Sequence, residues 1–600
     1  MKHSHWRGRS LAFFSAIGIA IGVVSSPIHA DPPKTPPTPL DPNSLQKKAE
    51  STPGFTGKWF VQLASKPTIS GGSPQAISSQ QKTFGSDVSS RVQVTEKHSR
   101  LWNGVVVKTD KAGLEEVVKA SNVKAVFPVL SVAMPKNQKS KVLPQVRRAG
   151  AMTGVPYAHK ELGLTGKGMK IGIIDTGIDI DHPAFGGSGV PGSATFPTSK
   201  VVAGYDFVGD RYNSDINSDA YDPNAVPDSV PNDCHGHGTH VAGIAAGNDP
   251  TNNFRGVAPN ALLGAYRVFG CDGATDTGVM LTAMERASRD GMNVVNMSIG
   301  APYVTWPEYP TAVAADALVN SGVVVTVSQG NEGDHGAFSG SAPAVSPKAI
   351  AVGSVDNNGL LLSTFTTADG ASYTYMPVDG AAVPPTTGSA QLAAYPDGQK
   401  TGAVDLPGKP FEGKVALVAR GDSTFAEKAA AAQADGAVGL LIYNNEDGVV
   451  RASIQPTTDL PVGTITKEQG EKLEGLVAKS AGNSPVITWT DKQEPIVDPD
   501  TATMVSTFSA WGMTADLKLK PDVLAPGGEI TSAYPLDKQT AKKGYAELSG
   551  TSMAAPHTAG AAALVLESNP SASPDAVKAV LQNTADPVLL SYPIQRGFPS

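Results

Sequence analysis

A chain of 600 residues has room for about four folded units at roughly 150 residues each, so disorder throughout is excluded. Hydrophobic residues make up 40% and charged residues 17%, ordinary globular values, while 63 glycines and 47 prolines call for many tight turns. The formal charge of −7 is spread without a long basic run, which leaves no footprint for phosphate backbones or anionic lipid, and no nucleic acid partner is expected.

Residues 1–30 read as a signal peptide: Lys2, Arg7 and Arg9 precede an apolar run from Leu11 to Val24, and Ser25 to Ala30 ends in a small residue. That run is shorter than the roughly 20 residues of a spanning helix, so no membrane span is expected after cleavage. The expected location is secreted, extracellular or in the cell envelope. An oxidising exterior would let Cys234 and Cys271 form a disulfide if the fold brings them together. Residues 31–57, opening on the proline-rich stretch Asp31 to Pro42, read as an extended linker.

Residues 58–134 alternate strand and helix signals, from Trp59-Phe60-Val61 through Gly104-Val105-Val106-Val107 to Ala125-Val126-Phe127, and predict a small α+β unit. Residues 135–169 follow as a polar, basic linker carrying the cleavable-looking pair Arg147-Arg148. From 170 to 366 buried strands (Ile171 to Ile174, Val294 to Ile299, Val323 to Val327) alternate with helices, one with Met280, Ala283, Met284 and Ala287 on a single face. The alternation predicts an α/β fold with a doubly wound, mostly parallel sheet. Residues 367–500 break the pattern and carry their own strand, helix and strand at Lys414 to Arg420, Ala426 to Ala434 and Val438 to Tyr443, which predicts an inserted domain. Residues 501–600 resume the α/β pattern.

Three segments place a reactive side chain at the end of an element, beside small residues that let backbone come close. Asp175 ends the apolar strand Ile171-Gly172-Ile173-Ile174, where a capping or turn role is the plain structural alternative. His235-Gly236-His237-Gly238-Thr239-His240 leads into a helix. These histidines could be hydrogen-bonded core residues, or, with Asp233 nearby, metal ligands. Ser552 in Gly550-Thr551-Ser552-Met553-Ala554 opens an Ala-rich helix in which Pro556 suits an early turn; the helix terminus favours developing negative charge, although most such serines only cap. An Asp to orient an imidazole, a His to take a proton and a Ser to attack form one working set.

At these motifs, in the order Asp, His, Ser, the chain resembles the subtilase family of serine proteases. The resemblance spans about 170–366 and 501–585 and includes Gly256-Val257-Ala258-Pro259 and Ser509-Ala510-Trp511-Gly512. It implies a subtilisin-like catalytic domain in which Asp175 orients the imidazole, His237 is general base and then acid, and Ser552 is the nucleophile. Asn331, in Gly330-Asn331-Glu332-Gly333, would donate to the oxyanion, and Ser298, Ile299, Gly300, Ser328 and Gly330 would line the substrate site. Ser328-Gln329 departs from the Ala-rich pair common in the family.

By the same likeness, residues 58–134 would be a propeptide acting as chaperone and intramolecular inhibitor, and 367–500 a β-rich protease-associated domain. No cofactor is implied for the chemistry, and structural calcium is allowed for among the acids from Asp206 to Asp233. Relatives continue through a Gly-rich strand where this chain reaches Gly597-Phe598-Pro599-Ser600, which implies an incomplete or unusual C-terminus. The expected function is endoproteolysis of proteins and peptides through an acyl-enzyme. Two other readings stay open: a metal-dependent hydrolase using His235, His237 and His240, and a non-catalytic exported binding protein on the same fold.

Overall fold

The computed structural model describes residues 41–587, apart from 136–137, 140–148, 151, 358, 397, 403–405, 422, 449, 451, 481–482, 498–503 and 539–543. The expected signal peptide, residues 31–40 of the linker, the Arg147-Arg148 pair and the terminal 588–600 lie outside the described residues.

The first unit begins with helix α1 (Pro42–Glu50), so the extended linker expected over 31–57 is corrected here. Asp41 accepts hydrogen bonds from the N–H groups of Asn43 and Ser44, and Pro42 sits in the first turn, where its missing N–H costs nothing. A proline after an aspartate starts a helix as readily as it extends a linker. Strands β1 (Phe55–Leu63), β2 (Gln93–His98), β3 (Gly104–Lys108) and β4 (Val123–Ala133), with helices α2 (Pro74–Asp87) and α3 (Lys111–Lys119), complete the unit. The sheet order is β4-β1-β3-β2, with neighbours antiparallel. Alternation along β1 sends Trp59 and Val61 toward Phe84, Leu114 and Val117, and Phe60 to the opposite face.

The second unit is built on seven strands: β5 (Lys170–Asp175), β6 (Val201–Asp206), β7 (Leu262–Arg267), β9 (Val294–Met297), β10 (Val324–Ser328), β11 (Ile350–Asp356) and β12 (Val523–Gly528), where β8 is the short strand Ala274–Asp276. Their spatial order is β12-β11-β10-β9-β5-β7-β6, and every neighbouring pair is parallel. The chain leaves β7 on one side of β5 and enters β9 on the other. Strand order therefore reverses at β5, and open α/β sheets bind ligands at the carboxyl ends of such strands. On one face lie α4 (His237–Ala246), buried along its whole length, and α7 (Thr551–Ser568), buried along most of it. On the other lie α5 (Thr277–Arg289) and α6 (Pro310–Asn320), which also receive Phe60, Trp102 and Val106 of the first unit. Pro556 is the sixth residue of α7, in its second turn.

Between β11 and β12 a mixed eight-stranded sheet, with helices Phe425–Ala434 and Lys467–Lys479, forms its own cores around Phe365, Leu441 and Trp489 and around Phe411, Val418 and Ile442. Its first strand is Gly359–Thr367, paired with Val486–Val497, so the insertion starts before the boundary expected at 366/367. The apolar run Leu360-Leu361-Leu362 reads in sequence as a continuation of β11. The segments on either side of the insertion meet: Asp356 N–H donates to the Met504 carbonyl at 3.0 Å.

Two buried histidines make this packing sensitive to acid. Burial lowers His557, whose Nε2 is 2.7 Å from Thr153 Oγ1, to about 4, and burial with the neighbouring His237 lowers His240 to about 3. Unfolded imidazoles titrate near 6.5, so the unfolded chain takes up these protons first as pH falls. Stability should be complete above about pH 6.5 and fall toward pH 4, by about 1.4 kcal/mol per pH unit for each histidine. Denaturant titrations across that window should show His557→Gln removing one histidine's share of the slope; an unchanged slope refutes the assignment.

Candidate active site

Asp175 is the last residue of β5, and Thr176-Gly177 turns the chain back against the start of α4. The approach is close enough that a Cβ on Gly238 would lie 2.2 Å from the Gly177 carbonyl oxygen. Only glycine fits there. Gly236 precedes the helix at φ 117°, a left-handed value, with its Cα against Tyr534. Asp233 fastens the helix start: one carboxylate oxygen accepts from His235 and Gly236 N–H, the other from Thr239 N–H and, at 2.6 Å, its hydroxyl. Thr176 Oγ1 accepts from Gly238 N–H at 2.8 Å.

These contacts set His237 Nδ1 2.7 Å from Asp175 Oδ1, with both side chains buried. With Nδ1–H donating to the carboxylate, the lone pair lies on Nε2. Asp175 Oδ1 also accepts from Thr176 N–H at 2.8 Å.

Ser552 is the second residue of α7, where backbone N–H groups have no intrahelical acceptor. Its hydroxyl donates to the Ser298 carbonyl at 3.0 Å, and Ser298 Oγ donates back to the Ser552 carbonyl at 2.8 Å. Asn331 follows β10, and its Oδ1 accepts from both the N–H and the hydroxyl of Thr551, each at 2.9 Å. That fixes which end of the amide is oxygen and leaves Nδ2 as a donor beside the start of α7. Two donors thus flank Ser552: the Asn331 amide and the free N–H of the helix's first turn.

Ser298, Ile299 and Gly300 continue from β9, and Ser328 and Gly330 belong to the segment leaving β10. Ser341 Oγ donates to the Gln329 carbonyl at 3.1 Å, and Gly330 N–H donates to Thr551 Oγ1 at 3.3 Å. The second segment is therefore tied to the helix that carries Ser552.

The metal-hydrolase arrangement is not formed. His237 Nδ1 faces Asp175, His235 Nδ1 accepts from His237 N–H at 3.4 Å, and His240 Nε2 faces the Ala546 carbonyl at 3.1 Å. His235 lies before the glycine that starts the helix, and the three histidines do not bring their ligand atoms within 4.8 Å of one another. Among the described residues, one group brings three possible ligand atoms together, Asp210 with Cys234 and Cys271, and its sulfurs form a disulfide. Buried Asp206 pairs with Arg267 at 3.1 Å, and Asp233 holds backbone as described.

Residues 166–596 match the subtilase family, Peptidase S8. The chain belongs to the subtilase family. It is 34% identical over 508 residues to Minor extracellular protease Vpr of Bacillus subtilis (strain 168), covering 82% of this chain and 58% of that protein. A PII-type proteinase of Lacticaseibacillus paracasei is 29% identical over 564 residues, 83% of this chain and 28% of its own length. C5a peptidase of Streptococcus pyogenes serotype M6 (strain ATCC BAA-946 / MGAS10394) is 32% identical over 381 residues, 59% of this chain and 30% of that protein. The chain thus spans between 28% and 58% of these relatives' lengths.

Within this subtilase, two residues outside the expected triad hold the site in place. Thr551 orients Asn331, and Asp233 seats α4; the signal for the second was an Asp shortly before a helix start. The disulfide Cys234–Cys271 joins the loop before α4 to the loop after β7, beside Arg267, which bonds the Asn232 carbonyl at 3.2 Å. By loop-closure entropy, a bridge closing a separation of 37 residues stabilises by about 4 kcal/mol. Cys234→Ala/Cys271→Ala should lower unfolding free energy by that order, measured by denaturant titration; a change below about 1 kcal/mol would contradict the role.

Proposed function

We propose that this subtilase is a secreted serine endopeptidase that cleaves proteins through an acyl-enzyme on Ser552. The observation that carries the reading is the buried 2.7 Å contact between His237 Nδ1 and Asp175, which leaves Nε2 as a base on the side of α7. In the state described, Ser552 Oγ is turned to the Ser298 carbonyl. Rotation about its Cα–Cβ bond frees the hydroxyl for Nε2, in keeping with the looseness of catalytic hydrogen bonds before substrate binds. His237 takes the Ser552 proton as Oγ bonds to the scissile carbonyl carbon. Asn331 Nδ2 and the Ser552 N–H receive the oxyanion; His237 then gives the proton to the leaving amine, and water repeats the sequence to release the acid. Asp175 stabilises the imidazolium between the two transfers. Each proton and each bond in this sequence is accounted for by these side chains and water.

Substrate is read as an extended strand beside Ser298 to Gly300, with Ser328 and Gly330 across from it. The first unit is read as a propeptide. Its β4 adds to β8 by antiparallel pairing of Ser131, Val132 and Ala133 with Asp276, Thr275 and Ala274. Glu285 of α5 accepts from the N–H groups of Ser99, Arg100 and Leu101, and Lys58 pairs with Asp276 at 2.9 Å. Beyond β4, Gln138 and Lys139 pair with Ser549 and Leu548, just before Ser552. The tail is thus drawn from β8 to the foot of α7, as an inhibitor would be. The insertion is read as a protease-associated domain. Export agrees with the word extracellular in the name of the Bacillus relative. Among the described residues no helix is long and apolar enough to cross a membrane.

Ser552→Ala should abolish casein hydrolysis and labelling by a fluorophosphonate, while a chelator should leave the parent's labelling intact; persistent hydrolysis by the variant would sink the reading. Asn331→Leu should lower kcat about 100- to 1,000-fold, the loss known for removal of the matching donor in subtilisin.

A further inference from the structure

The wall that follows Gly300 does not end at the cleft. Ala301–Pro302 pairs antiparallel with Ser341–Ala342, and Tyr303 N–H donates to the Gly340 carbonyl at 3.0 Å. Met513 N–H donates to the Ala337 carbonyl at 2.7 Å, and Ala515 N–H to the Thr305 carbonyl at 3.0 Å. Three short segments are thereby stitched edge to edge into one shelf. Trp511 joins it to the Asn331 loop, its Nε1–H donating to the Gly333 carbonyl at 3.1 Å.

Six exposed apolar side chains lie on this shelf, beside the exposed Asp334, His335, Asp516 and Lys518. Tyr303, Trp306, Phe338, Trp511, Leu517 and Leu519 are all exposed, with Trp306 at 60%, Leu517 at 67% and Leu519 at 79%. Isolated exposed apolar residues need no explanation, whereas a contiguous set marks an interaction surface. Tyr303 and Leu517 also hold left-handed backbone, at φ 63° each, which side chains other than glycine and asparagine enter at a cost. Tyr303 is partnered there by His335, whose Nδ1 lies 2.6 Å from its hydroxyl, and Leu517 sits in a turn closed by its N–H to the Thr514 carbonyl at 2.9 Å.

The occupant follows from continuity. Ala301–Pro302 lies against β4 of the first unit, and Tyr309 OH donates to the Pro128 carbonyl at 2.9 Å, so this chain already holds a polypeptide strand along the same wall. The first unit stops short of Tyr303 and Trp306, which stay in solvent. We infer that the shelf is an exosite for protein substrates, engaging an apolar or aromatic segment of the substrate polypeptide beyond the residues held in the cleft. The inference rests on the endopeptidase reading, since the strand threaded through the cleft is what delivers the rest of the substrate to the shelf.

The consequence is a split between large and small substrates. Trp306→Ser/Leu517→Asn/Leu519→Ser removes three of the six exposed apolar side chains, the three most exposed, and spares Trp511, and asparagine tolerates the left-handed backbone at 517. With the expressed full chain, kcat/KM for casein should fall at least fivefold, through KM, while that for a chromogenic tetrapeptide stays within twofold. Circular dichroism and melting temperature should match the parent, and if they do not, the single variants Trp306→Ser and Leu519→Ser carry the same comparison. Equal losses on both substrates, or none on either, overturn the exosite. So does a change in the variant's oligomeric state, or in its pelleting with phosphatidylglycerol vesicles, without a change in casein KM, since the shelf would then serve a second copy or a lipid surface. A parent inactive toward both casein and tetrapeptide would instead refute the endopeptidase reading itself, and the exosite with it.

Discussion

The contact between His237 and Asp175 is the constraint around which the rest is arranged. A buried carboxylate is costly to desolvate, and it is tolerated where a hydrogen-bonding partner meets it at good geometry. Meeting at 2.7 Å requires a helix to press its first turn onto the end of a central strand, backbone against backbone. The glycines at 177, 236 and 238, the capping by Asp233 and the bridge at Cys234–Cys271 all serve that approach. They belong to loops converging on one sheet edge, while the sheet behind them supplies rigidity through strands buried on both faces.

The opposite face of the sheet has a different task. Helices α5 and α6 bury one side against the sheet and offer the other to the first unit. Glu285 is the sharpest instance: a carboxylate on α5 that three consecutive backbone N–H groups of the neighbouring unit converge upon. Removing the first unit would return that carboxylate, Asp276 and the aromatic cluster of Phe60, Phe127 and Tyr309 to water.

The sequence announced the parts of the site that depend on local chemistry. Asp175, His237 and Ser552 each sit among small residues whose purpose is close approach, and that pattern is visible in a linear string. The parallel sheet was legible from the alternation of buried runs with amphipathic helices. Long-range pairings were not: that Thr551 orients Asn331, or that Glu285 faces Ser99 to Leu101, depends on segments far apart in the chain. The helix at Pro42–Glu50 was missed because a proline-rich composition masked an Asp-Pro helix start. The first strand of the insertion was missed because its leucines run on from β11. The three histidines looked like a ligand set because spacing alone does not say that a glycine separates the first from the helix carrying the other two.

The insertion has a bearing on how the protein reaches this state. Its two ends emerge side by side, Asp356 against Met504, and the strands it separates, β11 and β12, are neighbours in the sheet. Pairing them across an unstructured intervening segment would carry the closure entropy of a long loop. An insertion that has already formed its own cores delivers both ends at contact distance, which lowers that entropic barrier by about 2–3 kcal/mol on a logarithmic loop-length scaling. Where the insertion forms its cores first, the last strand of the central sheet, with the helix bearing Ser552, closes across a short gap instead of a long loop.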